Sequence, residues 1–398
     1  MLKQKTVVLG VTGSIAAYKI ASLASMLVKQ HCDVHVIMTE NATNFINPIT
    51  FETITNNKCL VETFDRNFQF HVAHVSLAQK ADVMLIAPAS ANIIAKLAHG
   101  IADDMLSTTA LACSGPIIIS PAMNTHMYEK PVVQDNINTL KRFGVQVIEP
   151  AVGQLACGDT GVGKMPEPTV LMDYIIKEIA CKKDLTGQKI LVTAGPTQEA
   201  IDPVRYITNH SSGKMGYALA KRAMLRGAEV VLITGPTALA PPPFVKTVNV
   251  VSAQDMLEAV MKEFTSQDII IKAAAVADYR PSNFSDKKLK KKAEDMTVSL
   301  ERTEDILAHL GSIKQPNQFL CGFSMETENL LENSRIKLMK KNADMIVANN
   351  LKEHGAGFGT DTNIITLITK EEEKALTIMT KEEAADEILT KILELRFR

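Results

Sequence analysis

The 398-residue sequence predicts two doubly wound α/β domains in tandem. Three observations carry this. Apolar runs without polar alternation, such as Val83-Met-Leu-Ile-Ala87 and Pro116-Ile-Ile-Ile119, recur between helical patterns, as parallel strands buried on both faces require. A plan of strand, glycine-bearing turn, helix and strand stands at the N-terminus and starts over at residue 189. The length suits two or three hydrophobic cores better than one.

In the first half the pattern predicts strands at 6–10, 33–39, 82–87, 116–120 and 145–148, with helices at 15–30, 91–99, 103–112 and 125–143. A helix over 169–181 closes this domain, and Lys182–Gln188 reads as a short polar linker. The second half reads as strand 189–194, helix 214–226, strands 229–234 and 245–250, helix 252–264, strand 268–272, a basic loop at 280–292, strand 296–301, helix 303–310, strand 318–322, helix 326–341, strands 344–348, 363–368 and 374–379, and helix 381–395. The expected domains are therefore 1–181 and 189–398, the second a doubly wound sheet with a small β addition.

Composition excludes several classes. A net charge of −1 argues against a general polyanion-binding surface. Residues 1–5 lead straight into a strand, so no secretory signal is expected, and no apolar run is long enough for a bilayer. The six cysteines lack any C-x-x-C spacing, which argues against zinc and disulfides and fits a reducing, cytoplasmic setting.

Doubly wound sheets bind ligands at the carboxyl ends of their strands. In the first half those ends carry Thr12-Gly-Ser14, Thr39-Glu-Asn-Ala42, Ala87-Pro-Ala-Ser-Ala-Asn92 and Ser120-Pro-Ala-Met-Asn124. Such small and hydroxyl residues let backbone approach a phosphate, although each alone reads equally as a helix cap. The absence of G-x-G-x-x-G weighs against a dinucleotide. Two further stretches stand out. Phe70-His-Val-Ala-His-Val-Ser76 places histidines before an apolar start, and Gly153–Met165 is a glycine-rich loop around Cys157, read as a lid over 153–165.

Taken together, Gly13-Ser-Ile-Ala-Ala-Tyr-Lys19, His71-Val-Ala-His74, Pro88-Ala-Ser-Ala-Asn92, Ala102-Asp-Asp-Met-Leu-Ser-Thr108, Pro121-Ala-Met-Asn124 and Ala156-Cys-Gly-Asp-Thr-Gly161 resemble the homo-oligomeric flavin-containing cysteine decarboxylases, and among them the phosphopantothenoylcysteine decarboxylases. The resemblance implies a flavodoxin-like or Rossmann-like fold holding FMN. Gly13, Ser14 and Ile15 would lie at its phosphate, and Thr39, Ser90, Asn92 and Ser107 near its ring. It further implies His74 as base, Asn124 on the substrate carboxylate and Cys157 as proton donor. An α-amido carboxylate has no electron sink, so oxidation of the neighbouring thiol to a thioaldehyde would make loss of CO2 feasible.

In the second half, Ser212-Gly-Lys-Met215 is not a P-loop, because Thr208 stands where the first glycine belongs and no Ser or Thr follows Lys214. Lys287-Lys-Leu-Lys-Lys-Lys292 is the densest charge run. Without interleaved aromatics it fits a mobile loop closing on a triphosphate better than a nucleic-acid patch. Lys337 and Lys341 fall four apart, on one helical face. Thr193-Ala-Gly-Pro-Thr197, Ile201-Asp-Pro-Val-Arg205, Asn209-His-Ser-Ser-Gly-Lys-Met-Gly216, Ala273-Ala-Ala-Val-Ala-Asp-Tyr279 and Lys288-Leu-Lys-Lys291 resemble the phosphopantothenate–cysteine ligases. With the first half, the resemblance extends to the fused bifunctional enzymes of bacterial coenzyme A biosynthesis.

That resemblance implies that CTP activates 4′-phosphopantothenate as an acyl cytidylate and that cysteine displaces CMP. Asn209 would orient the cytidylate. Ala273, Asp278, Lys288, Phe323, Lys337 and Lys341 would contact the nucleotide, as would Thr303, Glu304, Asp305 and Ile306, where the family pattern Asn-Pro-Asp-Ile is kept only in its last two residues. Mg2+ would offset the triphosphate charge, its ligands being unknown. A trimeric decarboxylase half and a dimeric ligase half are implied, with no nucleic-acid or membrane partner. A flavin prenyltransferase or a peptidyl-cysteine decarboxylase would lack residues 189–398, and a non-catalytic flavoprotein regulator would lack the set His74, Asn124, Cys157, Asn209 and Lys288.

Overall fold

The computed structural model describes residues 2–63, 73–154, 158, 160–290, 296–326, 329–350 and 359–397. The chain divides into two compact units, Met1–Cys181 and Lys182–Arg398.

The first unit runs β1 (Thr6–Val11), α1 (Tyr18–Lys29), β2 (Asp33–Met38), α2 (Pro48–Thr55), α3 (Ala73–Lys80), β3 (Val83–Ala89), α4 (Ala91–His99), α5 (Met105–Ala112), β4 (Ile117–Pro121), α6 (Thr125–Tyr128), α7 (Pro131–Arg142), β5 (Gln146–Val147), β6 (Ala151–Gln154), β7 (Thr160–Lys164) and α8 (Pro168–Ile179). Strands β1 to β5 form a parallel sheet in the order β2-β1-β3-β4-β5. In this flavodoxin-type order the chain changes direction between β1 and β3, which opens a crevice at their carboxyl ends. The sheet is covered on both faces. Leu9, Phe51, Leu85 and Ile175 pack with α1, α2 and α8 on one side, and Val8, Ile86, Ile93, Leu106 and Ile137 with α4, α5 and α7 on the other. Strand β3 is buried over its whole length, which is why it reads as an unbroken apolar run.

Three expectations for this unit change. The helix expected over 125–143 is two, because Pro131 starts α7 afresh at its first position, where its missing N–H costs nothing. Helix α2 was not foreseen, although the Asn47 side chain caps it at Ile49 N (3.1 Å) with Pro48 at its start. The glycine-rich 153–165 stretch is not a structureless loop. Strands β6 and β7 pair antiparallel, with Gly153 opposite Gly161. Met123 N–H donates to the Gly163 carbonyl (3.1 Å), and Gly163, at φ +132°, lies so close to Met123 that a Cβ would strike its carbonyl. Glycine is needed there for close approach.

The second unit runs β8 (Lys189–Ala194), β9 (Gln198–Ala200), β10 (Tyr206–Thr208), α9 (Lys214–Leu225), β11 (Glu229–Thr234), β12 (Lys246–Asn249), α10 (Ala253–Phe264), β13 (Ile269–Lys272), β14 (Tyr279–Pro281), β15 (Leu300–Arg302), α11 (Ile306–Ile313), β16 (Phe319–Glu326), α12 (Leu330–Lys340), β17 (Met345–Asn350), β18 (Thr362–Asn363), β19 (Ile365–Thr369), β20 (Glu373–Ala375), β21 (Met379–Thr380) and α13 (Lys381–Arg396). Its main sheet has the order β12-β11-β8-β13-β16-β17-β19-β20. The first six of these are parallel in the Rossmann arrangement, reversing between β8 and β13, and β19 and β20 add an antiparallel end.

The strand expected over 296–301 is the shorter β15, and α11 starts only after Asp305, whose carboxylate caps Ala308 N (2.9 Å). The helix expected from 326 starts at 330, since Glu326 still belongs to β16. The strand expected over 374–379 divides into β20 and β21, which pair with different partners, β19 and β18. Cys32, Cys59, Cys113, Cys181 and Cys321 form no disulfides. Burial pushes the Cys32 and Cys59 thiols up to about 11 and about 12, so both stay protonated at neutral pH. Among the described residues no helix is long and apolar enough to cross a membrane.

Candidate active sites

In the first unit the ends of β1 and β3 are tied together by one hydroxyl. Thr12 Oγ1 donates to the Pro88 carbonyl (2.7 Å) and accepts from Ser90 N (3.1 Å). Ser14 and Ser90 each begin a helical turn as an N-cap, accepting from Ala16 N and Ile93 N. Ser107 forms a reciprocal capping box with Asp104, which also pairs with Lys96 (2.8 Å). Burial raises the Asp104 carboxyl, but the Lys96 ammonium and the Ser107 hydrogen bonds outweigh it and hold the group below its ordinary value.

A cavity of about 580 Å³ opens beside these turns, lined among others by Ser14, Ile15, Tyr18, Lys19, Asn124 and Lys164. Its size is typical of a small-molecule site. Asn124 caps α6, with its Oδ1 accepting from His126 N (2.9 Å). Thr39, Ser90, Asn92 and Ser107 lie at the ends of β2 and β3 and in α4 and α5, outside that lining, and His74 stands half-buried at the start of α3. Gly13 sits between Thr12 and Ser14 in the turn after β1. Three buried hydroxyls, Thr39 Oγ1, Ser120 Oγ and Thr125 Oγ1, have no hydrogen-bond partner among the described residues. Buried polar atoms of this kind mark places where a polar ligand fits. Cys157 lies outside the described residues.

In the second unit the small residues after β13 are held by the segment after β8. Thr193 Oγ1 accepts from Ala274 N (3.2 Å), Ala275 N donates to the Gly195 carbonyl (2.9 Å), and Thr197 Oγ1 accepts from Ala277 N (3.0 Å). Asn209 is docked on this segment, its Nδ2 donating to the Ala275 and Val276 carbonyls (3.2 and 3.1 Å). Thr303 is fixed to it from the other side, through Oγ1 to the Ala277 carbonyl (2.5 Å) and N–H to the Asp278 carbonyl (3.0 Å).

A cavity of about 510 Å³ at this reversal point is lined by Asn209, Ala273, Asp278, Phe323 and Lys337 together with the Ser211–Gly216 turn. Lys337 Nζ donates to the Phe323 carbonyl (2.8 Å). Asp305 pairs with Lys341, and Glu304 with His309 (2.7 Å). Thr303 is thus joined to the cavity's wall, and neither it nor Glu304, Asp305, Ile306 or Lys341 lines the cavity. Lys288 is exposed in the basic loop, which is anchored at its neighbour. Leu289 N donates to the buried Asp202 carboxylate (3.0 Å) and its carbonyl accepts from Arg205 (2.9 Å). The Arg205 guanidinium and several backbone N–H groups hold Asp202 well below the ordinary carboxylate range.

The sequence reading gave no role to several residues of this lining, among them Lys214, Ser324, Met325, Asn349, Asn363 and Lys381. Lys214 lies in the Asn209–Gly216 motif that carries the ligase resemblance, where the sequence gives it no role of its own. Gly213, at φ +76°, turns the chain into α9 with no side-chain cap, so the helix N-terminus faces the cavity. Lys214 donates to the Gly359 carbonyl (3.0 Å) and pairs with Asp361 (2.7 Å), and Lys381 donates to the Thr360 carbonyl. Burial, then the nearby Lys214, depresses the Lys381 ammonium below its ordinary value. Ser324 Oγ and Asn349 Oδ1 are buried without a partner among the described residues. No sequence signal marks those later residues, which only the sheet order brings to the same edge.

Comparison with known proteins agrees with this division. A flavoprotein family model matches residues 1–180, and the model of the DNA/pantothenate metabolism flavoprotein C-terminal domain matches residues 185–395. The coenzyme A biosynthesis bifunctional protein CoaBC of Bacillus subtilis (strain 168) is 47% identical over 399 residues, covering 99% of this chain and 98% of its own. The chain belongs to the CoaBC family. It is accordingly a bifunctional enzyme of coenzyme A biosynthesis, with a decarboxylase and a ligase activity. The CoaBC of Vibrio parahaemolyticus serotype O3:K6 (strain RIMD 2210633) is 44% identical over 396 residues, covering 99% of each chain. A crystal structure of a CoaBC C-terminal domain is 48% identical, covering 54% of this chain and 98% of its own, with a TM-score of 0.46.

Proposed function

We propose that the second unit joins cysteine to 4′-phosphopantothenate at the expense of CTP, through an acyl cytidylate, and that the first unit decarboxylates the product to 4′-phosphopantetheine with FMN. The observation that carries the ligase half is the cavity at the β8–β13 reversal, where Asn209, Asp278 and Lys337 meet the open N-terminus of α9. An uncapped helix N-terminus and converging lysines suit a polyphosphate. Asn209, held by two backbone carbonyls, orients the acyl cytidylate for attack by the cysteine amine. Lys288 closes over the triphosphate from its loop, while Ala273, Phe323, Lys337 and Lys341 bound the nucleotide with Thr303–Ile306. Mg2+ would offset the triphosphate charge, and Asp278 is the one carboxylate among the described lining residues that suits it.

The partnerless hydroxyls of Thr39 and Ser120 and the turn at Gly13–Ile15 fit FMN. FMN supplies, when bound, a two-electron acceptor for the substrate thiol. The chain's residues do the rest: Gly13, Ser14 and Ile15 hold its phosphate and Thr39, Ser90, Asn92 and Ser107 frame its ring. His74 acts as base, Asn124 holds the substrate carboxylate, and Cys157 returns a proton. Exposed apolar Ile15 and Tyr18 at the first cavity, and Val204, Tyr206 and Tyr279 in the second unit, support self-association. The reading is a trimeric decarboxylase half and a dimeric ligase half.

Purified protein given 4′-phosphopantothenate, cysteine, CTP and Mg2+ should yield 4′-phosphopantetheine, CMP and pyrophosphate by mass spectrometry. Asn209→Ala should stop before the amide, and His74→Ala should accumulate phosphopantothenoylcysteine. Full turnover by either variant would refute that residue's role.

A further inference from the structure

Lys272 is the last residue of β13, directly before the cavity-lining Ala273. It is only 7% exposed. It faces the same side of the sheet as the core residue Ile270 two positions earlier. Across the ladder it is aligned with Gly322, over which the Leu307 and Ile346 side chains close. Its ammonium has no hydrogen-bond or ion-pair partner among the described residues. A buried ammonium in that position is costly and needs an electrostatic reason.

The reason lies in the charges around it. Asp305, at the start of α11, and Lys337, on α12, are the groups that act on Lys272. Asp305 is already paired with Lys341, and Glu304 beside it with His309. Three lysines therefore share one carboxylate, and the cluster carries an excess of positive charge against the wall of the nucleotide cavity. Burial depresses Lys272 to about 8, so near that pH its charge is present in only part of the molecules.

We propose that Lys272 is a positioning residue of the ligase site, whose ammonium, set behind Lys337, is charged fully by the bound nucleotide and strengthens its capture. The inference rests on the assignment of CTP to this cavity. A polyanion favours the charged form of a nearby ammonium, so nucleotide binding must draw a proton from solution to Lys272.

Calorimetric titration of the full-length protein with CTP and Mg2+ at about pH 8, in two buffers of different ionisation enthalpy, reads this directly. The wild type should take up about 0.4 proton per nucleotide at that pH. Lys272→Met should take up less by that amount and raise KM for CTP roughly tenfold, with kcat little changed. Lys272→Arg, charged at every accessible pH, should recover most of the affinity without that uptake. Undiminished uptake in Lys272→Met would overturn the proposal, as would an unchanged KM. Failure of the wild type to bind CTP at all would instead overturn the nucleotide assignment on which it stands.

Discussion

The same lysine makes a prediction about stability that is independent of any ligand. An ordinary lysine titrates at 10.5, and burial brings Lys272 down to about 8. Between those values the unfolded chain binds more protons than the folded one, so stability rises as pH rises through that window. The drop is worth about 3 kcal/mol at about 1.4 kcal/mol per pH unit, all of it a cost at neutral pH. Lys272→Met keeps the length of the buried stem and removes the charge. The variant should be more stable than the wild type by up to about 3 kcal/mol at pH 7, and by only about 1 to 2 kcal/mol at about pH 9.5, where the wild type has shed its buried charge. Urea unfolding followed by far-UV circular dichroism at the two pH values measures both numbers. A variant less stable than the wild type at pH 7, or a difference that does not shrink with pH, would show that the ammonium is compensated in the fold and refute the reasoning. Coupled to the KM effect above, the expected result is a residue that trades stability for substrate capture.

Three further predictions concern other parts of the molecule. Asp104 is held below its ordinary value in the fold, so its contribution is present at neutral pH and is lost as pH falls through the folded value; Asp104→Ala should cost about 1 kcal/mol near neutrality, shrinking in acid, by the same unfolding assay. Gly163→Ala should push β7 off Met123 and slow decarboxylation while amide formation by the second unit continues, which separate assays of CO2 and CMP release would distinguish. Asp202→Asn should free the Leu289 N–H, so that hydrogen exchange at that amide accelerates and KM for CTP rises, with decarboxylation of added phosphopantothenoylcysteine unchanged.

Much of the fold was legible because parallel strands buried on both faces must be apolar throughout, as Val83–Ala89 and Ile269–Ile271 are. What escaped the reading was structure made by partners distant in the chain. Strands β6 and β7 carry three glycines, which have no strand propensity; the hairpin's shape comes from contact with Met123 rather than from local preference. The pairs β9–β10 and β14–β15 are only three residues long, too short to show an alternation. For the cavity of the second unit, Asn209, Ala273, Asp278, Phe323 and Lys337 could be named from the family resemblance, and they share one lining. Asn349 could not, because no motif surrounds this end of β17, nor could Asn363 and Lys381, because only the antiparallel turn-back of the chain after β17 returns it to that edge. Lys272 read as an ordinary strand end, since the charges that act on it, Asp305 and Lys337, come from much later in the chain.

The way the second sheet ends has a consequence for how the protein lives at high concentration. A sheet edge offers unpaired backbone groups to any passing strand, and long, flat, apolar edges recruit them. Strand β20 is three residues long, Glu373-Lys-Ala375, and lies on the surface. Its two charged side chains are engaged on neighbouring helices, Glu373 with Arg335 (2.5 Å) and Lys374 with Glu387 (2.9 Å). An incoming chain would have to break those pairs and leave charge against its own backbone. The last strand of the sheet thus works as a terminator: it completes the hydrogen-bond ladder of β19 and offers a poor template for the next.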